Sequence, residues 1–339
     1  MKQLWALVLA AGEGKRMHSR LPKVLHPLCG KKMVDYILES AAELTENVII
    51  VIGHGALQVK EALGDQWSYV LQKRQLGTGH AVIQALKVLP QTGTLLVLCG
   101  DTPLLEASYL RQLLSLHEQY AAVVATTMVP DPTGYGRVIR DHNRLVARIV
   151  EDKDASKKEK EICEINTGTY CFDIEILRNY LPLLTTDNTQ NEYYLPDILS
   201  LIHQDGLSVG AYCIGDYRTG LGINNRIQLA EAASIIQKKI NHSLMLSGVT
   251  IDDPDSVHID GNVKIGSDTV IRANCVIENG TVIGEECLIG PGAHLSEAFI
   301  NNNAVVQYSV VKKSTIESGA VIGPFAYINS QSRINSQQV

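Results

Sequence analysis

The sequence predicts an α/β chain in two regimes, a doubly wound and mostly parallel sheet followed by a parallel β-helix. Three observations carry this. Apolar runs at 4–9, 47–52, 94–98 and 121–126 alternate with helical patterns near 33–44, 78–89 and 106–118, the order that builds parallel strands joined by crossover helices. Ile259, Ile265, Ile271, Ile277, Ile283, Ile289 and Leu295 then recur every six residues, a period that belongs neither to a helix nor to a plain strand. Between the two regimes, Asn225 to Ser247 reads as one helix with apolar residues at Ile227, Leu229, Ile235, Ile236 and Ile240. The expected fold is therefore a Rossmann-like sheet with ligands at the carboxyl ends of its strands, then a left-handed β-helix of triangular section.

The bounds follow from these patterns: 1–225 for the α/β domain, 226–249 for the linker helix, and 250–330 for a short β-helix of about four coils at three hexapeptides each. Gly266, Gly284, Gly290 and Gly323 follow inward aliphatic residues, as corners of such a helix require. A second register, Val310, Ile316, Ile322 and Ile328, succeeds the first, and the slip after Leu295 predicts a loop or short turn. Ser330 to Val339 is polar and has lost the repeat, so 331–339 is expected to be a frayed tail. Homologous β-helices associate side by side as trimers, which makes a homotrimer the expected assembly.

Composition removes several classes. At 339 residues the chain has room for about two domains. A net charge of −6 with scattered Lys and Arg gives no nucleic-acid or membrane footprint. The cysteines at 29, 99, 163, 171, 213, 275 and 287 are dispersed, odd in number and without a CxxC pair, which points to reduced thiols rather than disulfides or a zinc site. The N-terminus runs straight into the first strand, and no apolar run approaches the roughly 18 residues of a membrane span. A cytoplasmic protein is expected.

The chemistry concentrates in two segments. The first strand ends in Leu9-Ala10-Ala11-Gly12-Glu13-Gly14, where small residues allow a nucleotide close to backbone N–H groups. Arg16 and Lys23 add two permanent cations suited to a triphosphate. The loop lacks the third glycine of a dinucleotide-binding turn and the Gly-Lys-Ser/Thr ending of a P-loop. The second segment, Gln72 to His80, follows a short strand at 67–71 and opens a helix with Thr78 placed as N-cap. It reads either as a capped turn or as a base reader, because a Gln amide offers the donor and acceptor that uracil demands.

Asp101 ends the buried run Leu95 to Gly100. It reads either as a turn or N-cap Asp or as a magnesium ligand, since an open α/β sheet presents ligand groups there and the metal needs hard oxygens. Asn224, in Gly222-Ile-Asn-Asn-Arg226, is the candidate second oxygen, although such an Asn alone is more often a loop or helix-cap residue. Thr133 to Gly136, Glu151, and Asn166-Thr-Gly168 resemble pieces of a sugar site, although a Glu in a charged run such as Glu151 is usually a solvated surface residue. Gln190 to Leu195 reads either as a hexose wall or as helix packing with a capping Glu.

Taken together, Leu-Ala-Ala-Gly at 9–12, Pro22-Lys23-Val-Leu-His26, Gln72, Gln75 to His80, Gly100-Asp101, Gly-Tyr-Gly-Arg at 134–137, Glu151, Asn166-Thr-Gly, Asn191-Glu-Tyr-Tyr and Gly222 to Arg226 carry a resemblance. From residue 4 to about 328 the chain resembles the N-acetylglucosamine-1-phosphate uridylyltransferases of the GlmU family. The resemblance implies transfer of uridylyl from UTP to N-acetylglucosamine 1-phosphate, releasing pyrophosphate, with Mg²⁺ on Asp101 and Asn224. It further implies that Leu9, Ala10, Ala11, Gly12 and Lys23 contact the nucleotide, and that Gln72, Gly77 and Thr78 read uracil. Gly136, Glu151, Asn166 and Asn224 would hold the sugar, while Arg16, Lys23 and Asp101 would act in catalysis.

Two small departures are Lys15, where the family usually has Thr, and Cys99, where it often has Tyr. The bifunctional members continue the β-helix into an acetyl-CoA site; here Tyr327-Ile-Asn-Ser stands where they have an Arg-rich continuation. Acetyl transfer is not expected, and the degenerate end suggests a naturally short protein. The alternatives are another nucleotide-sugar pyrophosphorylase or a non-catalytic regulatory scaffold. An acetyltransferase using His258 or His294 is a third, against the more ordinary role of His as a β-helix turn residue.

Overall fold

The computed structural model describes residues 2–329 and 331–335. It divides into two units, the first made of residues up to His26 with Lys32–Arg226, the second of Pro27–Lys31 with residues from Ile227 onward.

The first unit is built on a mixed sheet. Its main path runs Val209–Ile214, Ala122–Met128, Glu164–Asp173, Thr94–Cys99, Leu4–Ala10, Val48–Ile52, Ser68–Leu71. All pairings are parallel except those of Glu164–Asp173, which runs against both neighbours. Val48–Ile52 is buried along its whole length, which explains a continuous apolar run where a one-sided strand would alternate. Each such fully buried aliphatic side chain contributes about 1.5–3 kcal/mol of transfer free energy.

Helices cover both faces. Val34 and Ile37 of α1 (Met33–Ala42), Val59 of α2 (Ala56–Leu63) and Leu110 and Leu113 of α4 (Ala107–His117) join one core. Val82 of α3 (Thr78–Ala85), Leu177 of α5 (Ile174–Tyr180) and Ile198 and Ile202 of α6 (Asp197–Gln204) join the other. The antiparallel strand matters for the site. Its reversed direction brings its first residues, including Asn166, to the edge where the parallel strands end.

In the second unit, α7 (Arg226–Leu246) precedes three parallel sheets of five strands each. The expected inward residues Ile259, Ile271, Ile277, Ile283, Ile289 and Leu295 are all at most 2% exposed, with Ile265 partly buried. Asn241 of α7 is buried and donates through Nδ2 to the carbonyls of Pro254 (2.9 Å) and Val257 (3.1 Å), satisfying backbone groups that the first coil leaves over. Ile227, expected on the apolar side of this helix, is 71% exposed.

The register slip is not a loop. Ile300, Val306, Val311 and Ile316 continue the core, so three of the steps from Leu295 shorten to five residues while every strand still pairs. The inward residue is accordingly Val311, not Val310, which is only partly buried. The repeat also passes residue 330: Arg333–Ile334 pairs with Thr315–Ile316. Shortened corners and this added rung give five strands per face where about four coils were expected. The remainder of the expected tail, 336–339, lies outside the described residues.

Candidate active site

Leu4–Ala10 lies between Val48–Ile52 and Thr94–Cys99 and delivers the loop Ala11–Gly14 to the carboxyl edge. Gly12 and Glu13 have no backbone N–H partner among the described residues, the condition for donating to phosphate oxygens. Gly14 has φ 63°, and a Cβ there would stand 2.6 Å from Lys23 Cβ, so the bare backbone is what lets Lys23 pack under the loop. The following turn, Lys15–Met17, buries Met17 and leaves Arg16 exposed, without hydrogen bond or ion pair among the described residues. Lys15 pairs with Glu13 at 3.0 Å. These residues line a cleft of about 540 Å³, together with Gln72, Gly77, Thr78, Cys99, Asp101, Glu192 and Asn224.

At the cleft floor three expected residues converge. The N–H of Gly100 donates to Leu9 at 3.0 Å, and that of Ile223 to the Asp101 carbonyl at 2.9 Å, which carries Asn224 to the end of the Thr94–Cys99 strand. Lys23 Nζ donates to Asp101 Oδ2 and, at 2.9 Å, to Asn224 Oδ1. Two oxygens from distant segments thus already meet around one positive centre, the arrangement a hard divalent cation would take over once phosphate oxygens complete its shell. Among the described residues no cluster of three His, Cys, Asp or Glu competes for that role. Burial, with the Asp101 charge beside it, pushes the Cys99 thiol up to about 12 against the opposing pull of Lys23, so Cys99 is a neutral wall of the cleft.

Gln72 forms the opposite side. It follows Ser68–Leu71 and is 3% exposed; its Nε2 donates to the Gly77 carbonyl and to His80 Nδ1, both at 3.0 Å. Gly77 has φ 103°, and a Cβ on it would lie 2.6 Å from the Tyr193 carbonyl. Here the N-cap expectation fails. Gly77 caps α3, and Thr78 is its first residue, with Oγ1 accepting instead from the Leu195 N–H at 3.1 Å. A glycine takes the cap because only it tolerates both this backbone angle and the approach of Tyr193. The backbone of Tyr193 in turn accepts from Gly79 and donates to Leu76, each at 2.8 Å. The Gln190–Leu195 segment therefore braces the loop at 72–78, with Glu192 on the cleft wall, and α6 begins only at Asp197.

Gly136, Glu151 and Asn166 gather beyond Cys99, outside the cleft lining itself. A Cβ on Gly136 would lie 3.1 Å from Glu151 Oε1, and Asn166 N–H donates to the Gly136 carbonyl at 2.8 Å. Asn166 is held at both ends of its amide: Nδ2 donates to Tyr170 Oη (2.7 Å) and Oδ1 accepts from Gly168 N–H (2.9 Å). The Cys99 thiol donates to the Gly168 carbonyl at 3.4 Å, linking this group to the cleft. Asn224, expected on both sugar and metal, sits with Asp101 rather than with these three.

Sequence reasoning missed the electrostatics of this corner. Burial, then the charges of Asp197, Asp154 and Asp152, push the Glu151 carboxyl up to about 7 against the pull of Arg137. Burial and Asp154 push Asp197 up to about 6. Arg137 is 2% exposed, pairs with Asp152 at 2.9 Å and donates to the Tyr135 carbonyl. A lone Arg between a Gly-rich turn and an apolar strand was the available signal for a buried guanidinium. Nothing in the local sequence marked Asp197 or Tyr170.

A doubly wound sheet with a small-residue loop, two cations and a strand-end carboxylate in one cleft, followed by a β-helix, defines a nucleotidyltransferase. Residues 6–161 match the MobA-like NTP transferase domain and residues 254–339 the GMPPB C-terminal domain. The chain is 46% identical to the bifunctional protein GlmU of Enterococcus faecalis over 341 residues, which covers 99% of this chain and 74% of that protein. It is likewise 46% identical to the bifunctional protein GlmU of Caldanaerobacter subterraneus subsp. tengcongensis (98% and 74% covered) and 44% identical to that of Listeria welshimeri (99% and 74%). The chain belongs to the GlmU family, and it is an N-acetylglucosamine-1-phosphate uridylyltransferase. No helix among the described residues is long and apolar enough to cross a membrane.

Proposed function

We propose that uridylyl transfer takes place in the cleft between Ala11–Gly14 and Gln72, with Mg²⁺ held by Asp101 and Asn224. The observation that supports this most is the meeting of Asp101 Oδ2 and Asn224 Oδ1 around the Lys23 ammonium. When bound, the ion neutralises charge on the triphosphate and holds its α-phosphate in place. Loop N–H groups at Gly12 and Glu13, with the backbone of Leu9, Ala10 and Ala11, cradle the phosphates, and Gln72, Gly77 and Thr78 face uracil. Gly136, Glu151 and Asn166 accept and donate to the sugar.

The phosphate oxygen of N-acetylglucosamine 1-phosphate is already ionised at neutral pH, so no general base is needed. It attacks the α-phosphorus in line; one P–O bond forms, the bond to the bridging α–β oxygen breaks, and pyrophosphate carries away the electron pair. The chain's contribution is alignment and charge stabilisation by Lys23 and the free guanidinium of Arg16. Pyrophosphate release by the Asp101→Ala protein tests the metal assignment: loss of turnover in a folded protein supports it, and full activity removes it.

The assembly proposed is a homotrimer through the β-helix. Phe299, Tyr308, Val321, Phe325 and Tyr327 stand 52–85% exposed on that unit, Tyr308 and Phe325 with ring centroids 6.1 Å apart, apolar side chains that neighbouring copies would cover. A cytoplasmic location accords with seven free cysteines and no bonded pair.

A further inference from the structure

His80 is not among the residues lining the cleft, yet it fixes the Gln72 side chain proposed to read the base. The Gln72 amide nitrogen has two hydrogens. One goes to the Gly77 carbonyl at 3.0 Å, which can only accept, so the orientation of the amide is set. The other goes to His80 Nδ1 at 3.0 Å, which must therefore be the bare ring nitrogen. The proton of the neutral ring then lies on Nε2. Gln84 Nε2 is placed 3.0 Å from that nitrogen; two donors cannot bond, so this protonation requires the Gln84 amide turned over, with its oxygen accepting from Nε2–H.

Around the ring, burial and the charge of Lys87 favour the neutral form, the Arg74 carbonyl opposes them, and Tyr193 stacks at 6.3 Å. The net shift is downward, which keeps Nδ1 an acceptor at neutral pH. Both hydrogens of the Gln72 amide are thus committed inside the protein. Its Oε1 takes no hydrogen bond among the described residues, on a side chain that lines the cleft.

We propose that His80 is a positioning residue for base selection: by accepting from Gln72 it makes Gln72 an acceptor only, which selects a pyrimidine with N–H at ring position 3 and rejects one with a bare nitrogen there. Uracil offers that N–H to Oε1. Cytosine would set a lone pair against it, and the pinned amide has no hydrogen to turn toward the intruder. The inference rests on the reading that Gln72 faces the base.

The test compares kcat/KM for UTP and CTP, with N-acetylglucosamine 1-phosphate as acceptor, in the wild type and in His80→Phe, His80→Asn, His80→Gln and Gln72→Ala. His80→Phe frees one amide hydrogen and should reduce the preference for UTP by about tenfold or more, through the KM for the nucleotide and not that for the sugar phosphate. In His80→Asn the side-chain oxygen falls where Nδ1 was, so preference should return. His80→Gln, whose oxygen falls at the Nε2 position, should behave like Phe and serves if the Phe protein does not fold. Equal loss with Asn and Gln, or undiminished preference in the Phe or Gln variant while Gln72→Ala abolishes it, overturns the role of His80 and spares that of Gln72. Undiminished preference in Gln72→Ala overturns the underlying reading, and the inference with it.

Discussion

Lys23 and Asn224, 201 residues apart in sequence, meet at 2.9 Å, Nζ donating to Oδ1. The same ammonium bonds Asp101 Oδ2, so in the free protein a lysine holds the place between the two oxygens. Under the proposed assignment, a divalent ion held by Asp101 and Asn224 would leave the Lys23 ammonium to pair with phosphate instead. Asn224→Ala should therefore raise the Mg²⁺ concentration for half-maximal rate by about tenfold or more, read from pyrophosphate release against Mg²⁺. Asp101→Ala should lower kcat by about 10³-fold or more with an unchanged far-UV spectrum. An Asn224→Ala enzyme with an unaltered Mg²⁺ profile would contradict the assignment.

Glu151 gives a pH signature. Burial, then the neighbouring acids, push its carboxyl up to about 7, and only the ionised form accepts well from sugar hydroxyls. Sugar-phosphate KM should fall about tenfold between pH 6 and pH 8 as that fraction rises, and in Glu151→Gln the component should vanish. Stability moves oppositely. A carboxyl raised in the folded state stabilises fully below its unfolded value and loses that contribution as pH rises through 7. The melting temperature of the free protein should thus decline across this range relative to Glu151→Gln.

Arg137 ties the hairpin that carries Gly136 to the segment that carries Glu151. Arg137→Met would remove the 2.9 Å partner of Asp152 and the Arg137 hydrogen bond to the Tyr135 carbonyl. The expected cost is about 3 kcal/mol in urea unfolding, with a raised KM for the sugar phosphate and a smaller change for UTP. Equal changes for both substrates would show that the hairpin is not specific to the sugar side.

In the β-helix unit, Asn241→Leu should destabilise by about 1–3 kcal/mol, because the carbonyls of Pro254 and Val257 lose their donor in a buried place. Thermal unfolding of the variant checks this. A neutral substitution would mean that other donors reach those carbonyls.

Where the sequence was readable, one physical pattern dominated. Val48–Ile52, and the inner residues 95–98 of Thr94–Cys99, are buried on both faces of the sheet and are apolar throughout. The inward aliphatics at 259–295 recur because each face of the β-helix admits one residue into a narrow core. The five-residue steps after Leu295 defeated simple counting, since the core accepts Ile300 and Val311 without keeping six as the interval. In the cleft, loop, cations and strand-end carboxylate were legible because each has its own residue chemistry.

What stayed hidden was pairing. Thr78 looked like a cap, but the approach of Tyr193 makes Gly77 the cap. Asn166 is oriented by Tyr170, four residues on, across a register shift between those two residues of their strand. The rise of Glu151 depends on Asp197, which no local motif connects to it.

The most direct measurement of the central claim is pyrophosphate release by the purified protein with UTP and Mg²⁺, offering N-acetylglucosamine 1-phosphate and glucose 1-phosphate side by side. Release with strong preference for the acetylated sugar is the predicted result. Preference for glucose 1-phosphate, or silence with both sugars in folded protein, would contradict it.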